Sequence, residues 1–128
     1  MNIGILGGGQ LGLMLAESLD RLGQGVVVLE PDPDSPCAQR RANVLAAPLT
    51  DPRALEDFFR RVDVATFDSE NTPSAPLRPY ADKLAPSLRV LEVSQDRVKE
   101  KTFLAEHGFR PVDFRVVRPG EDVRAAAR

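Results

Sequence analysis

The stretch Ile3–Leu15, IGILGGGQLGLML, constrains the fold more than any other part of the chain. An apolar run ends in glycines, and Gly7, Gly9 and Gly12 fall at G-x-G-x-x-G spacing directly before a helix-like pattern. Glycines let the backbone turn sharply and approach a ligand, and the helix that follows offers amides and a positive dipole end to an anion. The stretch predicts a strand, a tight turn and a helix N-terminus. It does not fix the ligand, because the same glycines also serve close strand-to-helix packing.

The rest of the chain extends this unit. Asn2–Leu6 reads as a buried parallel strand. Leu11, Leu15, Leu19 and Leu22, with Met14 and Ala16 beside them, recur at helical spacing and predict a helix from about Gln10 to Leu22, stopped by Gly23. VVVLE, residues 26–30, reads as a second strand buried on both faces. The prolines of EPDPDSP break regular structure and make a loop. A short helix over Cys37–Arg41 and a strand VLAAP follow, then a helix over Asp51–Arg61 with Leu55, Phe58 and Phe59 inward. Asp51 ahead of Pro52 suits a capped helix start.

VDVATF is the next strand, and DSENTP is the loop at its carboxyl end. Pro76 and Pro79 leave Ser74–Leu84 readable as either helix or loop. Leu88–Val93 is strand-like, and Ser94 is expected to cap a helix over Gln95–His107 with Val98, Phe103 and Leu104 as its apolar side. DFRVV then reads as a final strand, PGED as a turn and VRAAAR as the beginning of another helix.

Alternating strands and helices predict an α/β fold, a doubly wound parallel sheet of Rossmann-like type. Ligands of such sheets sit at the carboxyl ends of the strands, which directs attention to Gly7–Gln10, Glu30–Ser35 and Phe67–Pro73. At 128 residues and 42% apolar composition the chain suits one domain with a real core. A net charge of -2, well mixed, gives no stripe for nucleic acid or an anionic membrane. Cys37 is the only cysteine, which excludes an intramolecular disulfide and a cysteine-based zinc site and fits a reducing cytoplasm. No apolar stretch reaches membrane-spanning length, and no metal cluster stands out.

Two ligand classes remain open from the residues alone. Glu30 ends the second strand, near where a dinucleotide enzyme places its ribose-binding acid, so one reading is the NAD(P)-binding domain of an oxidoreductase or redox sensor. Gln10 opposes it. A polar side chain at the first helical position projects into the crevice where a pyrophosphate lies against backbone, and it suits a small anion or a heterocycle better.

Four segments then carry a resemblance. GILGGGQLGLML, LEPDPDSPCAQ, VATFDSENTP and SQDRVKEKTFLAEHG with RPVDF after it occur in the order and spacing of 5-(carboxyamino)imidazole ribonucleotide synthetase, an ATP-grasp ligase family. The chain resembles the N-terminal pre-ATP-grasp domain of that family, about the first third of a complete member. The resemblance implies a substrate-binding domain over residues 1–110 and the start of a connection to an ATP-grasp domain over residues 111–128. On this reading the chain is a fragment, inactive alone. For the complete enzyme it implies ATP-dependent carboxylation of 5-aminoimidazole ribonucleotide by bicarbonate in purine biosynthesis. ATP and Mg2+ would be held mainly by residues outside this chain, in a homodimer.

Position by position, the resemblance implies substrate contacts from Gly8, Gly9, Gln10, Leu11 and Glu70, and an ATP contact from Arg97. Asp68 and Ser69 stand where the family usually has Glu and an aromatic residue, and Leu13 stands where it usually has arginine. Formate-dependent glycinamide ribonucleotide transformylase and biotin carboxylase are less similar, since neither matches the DSENTP or SQDR segments as well.

Overall fold

Successive side chains of a strand point to opposite faces of its sheet, so the apolar run Asn2–Leu6 needs cover on both sides. In a computed structural model, which describes residues 1–41, 43–118, 120 and 124, this run is β1 (Asn2–Leu6). It pairs in parallel with β2 (Gly25–Glu30) and β4 (Val64–Phe67), while β3 (Val44–Ala46) adds to the far side of β2. The order is β3-β2-β1-β4, all parallel. The doubly wound α/β expectation holds.

Ile5, Val26 and Val28 face a layer built from α1 (Gln10–Arg21) and α2 (Pro36–Arg40), where Leu13, Ala16 and Cys37 are buried. Leu6, Leu29 and Ala65 face the other way, onto Leu55, Phe58 and Phe59 of α3 (Pro52–Arg61). Phe58 meets Phe59 edge to face at 5.1 Å, and Phe59 stacks on Tyr80 at 4.1 Å. Burying a side chain of this size stabilises by roughly 1.5–3 kcal/mol relative to leaving it exposed. Lys83 tightens this layer by donating Nζ to the Phe59 and Val62 carbonyls at 2.7 and 2.9 Å, a basic cap on the C-terminus of α3. On the opposite layer the Arg41 guanidinium grips Asp20 through two hydrogen bonds of 2.6 and 3.1 Å and ties the end of α2 to that of α1.

Asp51 caps α3 as expected, accepting from the Arg53 amide with Pro52 in the first turn. Several expectations need correction. The inward face of α1 runs through Gly12, Leu13 and Ala16, with Leu15 and Leu19 alongside, while Leu11, Met14 and Leu22 are 64%, 54% and 71% exposed. The cause is Gly12, whose bare Cα packs against the Gly7 carbonyl and turns that face to the sheet. Ser74–Leu84 resolves as 3-10 turns over Ala75–Lys83 with a kink at Tyr80 after Pro79.

Leu88–Val93 is not a strand but belongs to α4 (Leu88–Ser94), where Leu91 is buried and Val90 is exposed. A short apolar run carries too few residues to separate the two periods. The next helix, α5 (Arg97–Glu106), starts later than expected because Asp96, not Ser94, caps it, accepting from the Val98 and Lys99 amides. Val98, expected inward, is exposed. DFRVV has no regular secondary structure and pairs with no strand among the described residues. The turn PGED and the helix VRAAAR fall largely outside them.

The chain divides into two units, Met1–Glu92 and Val93–Arg128. The sheet and its two layers belong to the first. Among the described residues no helix is long and apolar enough to cross a membrane.

Candidate functional site

Parallel register brings the carboxyl ends of three strands to one edge. Leu6 pairs with Leu29 on one side and Phe67 on the other, so the glycine turn lies between the residues that follow β2 and β4. Two acids stand there, Glu30 as the last residue of β2 and Asp68 as the first after β4. Both point into the turn.

Gly7 has φ 103°, a left-handed conformation that only glycine adopts without strain. Its amide donates to the Leu29 carbonyl at 3.0 Å. The next amide, of Gly8, donates to Glu30 Oε2 at 2.5 Å, and the Asp32 amide donates to Glu30 Oε1 at 2.8 Å. Glu30 is thereby turned inward as a brace for its own loop. Both carboxylate oxygens are engaged by backbone, which removes the ribose-binding acid on which the nicotinamide reading depended.

Asp68 fills the remaining space. A Cβ on Gly7 would overlap the Asp68 carboxylate, and Cβ positions on Gly9 and Gly12 lie 3.5 and 3.4 Å from Asp68 Oδ2. Burial pushes the Asp68 carboxyl above its ordinary value and the neighbouring Glu30 charge acts the same way. Hydrogen bonds from the Gly9 amide and the Ser69 side chain oppose the shift. Sequence reasoning missed this role. The signal was present as an acid directly after a strand that neighbours the glycine strand.

The expected substrate residues cluster in part. Gly8 and Gly9 form the turn, and Gln10 and Leu11 open α1 with both side chains exposed. Gln10 lines a shallow pocket of about 230 Å3 with Leu13, Asp34, Pro36, Gln39 and Arg40. Gln39 donates to the Asp34 carbonyl at 2.8 Å and holds the proline-rich loop, a fold-stabilising role. Glu70 is exposed in the loop after β4, at the same edge of the sheet as the turn. Leu13, where an arginine was the family expectation, is buried against the sheet.

Arg97 belongs to the second unit, at the first position of α5, and its guanidinium pairs with Glu100 at 2.5 Å. His107 closes the same helix, its Nδ1 within 2.8 Å of the Phe103 carbonyl. Cys37 is fully buried, its amide donating to the Gly8 carbonyl at 3.0 Å, and burial pushes its thiol up despite the nearby Arg41 charge. It is a packing residue of the turn and a poor nucleophile. No group of three or more His, Cys, Asp or Glu among the described residues is arranged to hold a metal ion.

Comparison with known proteins places this edge in a family. Residues 1–95 match the ribonucleotide synthetase preATP-grasp domain. The N5-carboxyaminoimidazole ribonucleotide synthase of Brucella melitensis is 42% identical over 97% of this chain and 35% of its own length. The N5-carboxyaminoimidazole ribonucleotide synthetase of Thermus thermophilus superimposes with a TM-score of 0.76 at 39% identity, over 83% of this chain and 30% of that one. The N5-carboxyaminoimidazole synthase of Aspergillus clavatus, in complex with ADP and 5-aminoimidazole ribonucleotide, does so with a TM-score of 0.72 at 31% identity, over 84% and 29%. This chain spans about a third of the length of the curated relatives it matches. Its four-stranded parallel sheet, its glycine turn and the match over residues 1–95 make it a member of the ribonucleotide synthetase preATP-grasp domain family.

Proposed function

We propose that the chain is the substrate-side domain of an ATP-dependent ligase that carboxylates the exocyclic amine of 5-aminoimidazole ribonucleotide with bicarbonate, releasing ADP and phosphate. The observation that carries this reading is the family match over residues 1–95, which includes both loops of the candidate site. Residues 1–110 serve as the substrate-binding domain and residues 111–128 begin the connection to the part that holds ATP and Mg2+. The enzyme acts in the cytoplasm as a homodimer.

In this reading Gly8, Gly9, Gln10 and Leu11 line one side of the ribonucleotide and Glu70 faces it from the loop after β4. Glu70 is exposed and free of a role in the turn, as a residue must be to accept a hydrogen bond from an arriving amine. Gln10 offers one donor and one acceptor group to a heterocycle edge. Arg97 adds positive charge for the ATP phosphates. The bound amine attacks the carbon of a bicarbonate activated as carboxyphosphate. A C–N bond forms, the C–O bond to phosphate breaks, and the amine proton leaves to solvent or base.

The test is ADP release by the full-length protein. Release that requires bicarbonate and aminoimidazole ribonucleotide together is expected, and release that ignores either one overturns the reading.

A further inference from the structure

We propose that Asp68 is a positioning residue, seated in the space that the missing side chain of Gly7 leaves open beside Gly9 and Gly12, and that it fixes the loop carrying Glu70 against the start of α1. The inference rests on the site reading above for its functional consequence, but its geometry stands separately.

The three glycines of the G-x-G-x-x-G motif have one neighbour in common. Cβ atoms on Gly7, Gly9 and Gly12 would all approach the same Asp68 carboxylate, at 3.5 and 3.4 Å for the latter two. The absent side chain of Gly7 therefore makes a socket for an acid supplied by the adjacent strand, and Gly9 and Gly12 line it at ordinary contact distance. The Asp68 amide anchors the other side of the same residue, donating to the Leu6 carbonyl at 3.1 Å. Backbone and side chain of Asp68 thus grip the turn at both of its ends, after β1 and before α1.

The amides of the turn are satisfied from within as well. Glu30 takes the Gly8 amide at 2.5 Å. The half-buried Asp68 takes the Gly9 amide, and Gly9, the residue before the helix, has no side chain of its own to cap α1. Asp68 engages the backbone amide of the residue that opens the helix from a distant part of the chain. A carboxylate at a helix N-terminus is favoured by the dipole, and the pairing converts two separate loops into one rigid edge. Glu70 lies two residues beyond this anchor, so its placement relative to Gln10 follows from the Asp68 seat.

The comparison that tests this uses full-length protein carrying Asp68→Ala, Asp68→Ser or Asp68→Asn. Asparagine keeps the shape and the acceptor; alanine and serine empty the socket. Amide hydrogen exchange is expected to accelerate at least about tenfold at Gly9 and Thr72 in the alanine and serine variants, with Val28 unchanged, and to stay near wild type in the asparagine variant. In steady-state assays the KM for the ribonucleotide should rise about tenfold or more in the alanine variant with the KM for ATP unchanged, and asparagine should restore it to within about threefold.

Unchanged exchange at Gly9 and Thr72 in a folded alanine or serine variant overturns the proposal, as does an asparagine variant impaired as much as alanine. A wild-type protein without ribonucleotide-dependent ADP release sinks the functional reading alone. The exchange comparison still decides whether Asp68 holds the loop.

Discussion

The Gly8 amide donates to Glu30 Oε2 at 2.5 Å, so the acid that ends β2 braces the glycine turn from inside. The second Glu30 oxygen holds the Asp32 amide at 2.8 Å and stiffens the proline-rich loop. A residue that in a dinucleotide enzyme would face a ribose here faces its own backbone.

Replacing Glu30 by alanine removes an acceptor from two amides. Hydrogen bonds to a charged group contribute about 1.5–3 kcal/mol each when buried, and at this half-buried position a total loss of about 2 kcal/mol is expected. Glu30→Gln keeps one acceptor oxygen and should lose about half of that. Urea denaturation of the three proteins measures it. An alanine variant as stable as wild type would remove the brace from the description of the turn.

Two carboxylates give opposite pH signatures. Asp68 is pushed above its ordinary value of 3.8, chiefly by burial, so its contribution is most favourable below pH 3.8 and is lost as pH rises through the folded value. Asp20 is held below 3.8, first by its hydrogen bond from Arg41, so its contribution is present above pH 3.8 and is lost as pH falls through the folded value. Thermal melts from pH 3 to 7 should therefore show Asp68→Asn gaining on wild type as pH rises. Asp20→Asn should fall behind over the same range. Profiles parallel to wild type for both variants would contradict these environments.

Phe58 is fully buried beneath the sheet, edge-on to Phe59 and close over Gly4. Phe58→Ala opens a cavity in the larger of the two layers and is expected to cost about 3–5 kcal/mol. A chemical melt reading less than about 1 kcal/mol would mean that the layer collapses around the gap.

Much of the first unit was legible in the sequence because its signals are local. The apolar run before Gly7 and the β-branched run before Glu30 name their strands, and Asp51–Pro52 marks a helix start. What was not legible depends on contacts between distant segments. The inward face of α1 was misread because Leu11 and Leu22 fit the helical period as well as Leu13 does, and only the Gly12 contact with the Gly7 carbonyl decides between them. Leu88–Val93 became a helix for a similar reason, since Leu88 and Leu91 pack on the core one turn apart while Val90 is left in solvent. At the candidate site, Gln10 and Glu70, both of which the structure puts at the carboxyl edge of the sheet, were readable as polar residues. The seat of Asp68 was not, because it joins positions about sixty residues apart that only the parallel pairing of β1 and β4 brings together.

The most direct measurement of the central claim is calorimetric titration of full-length protein, wild type and Glu70→Ala, with aminoimidazole ribonucleotide and separately with NADH. Binding of the ribonucleotide to wild type, weakened about tenfold or more by Glu70→Ala, with no heat from NADH, is the expected result. Micromolar NADH binding without ribonucleotide binding, or a Glu70→Ala protein that binds the ribonucleotide as tightly as wild type, would contradict it.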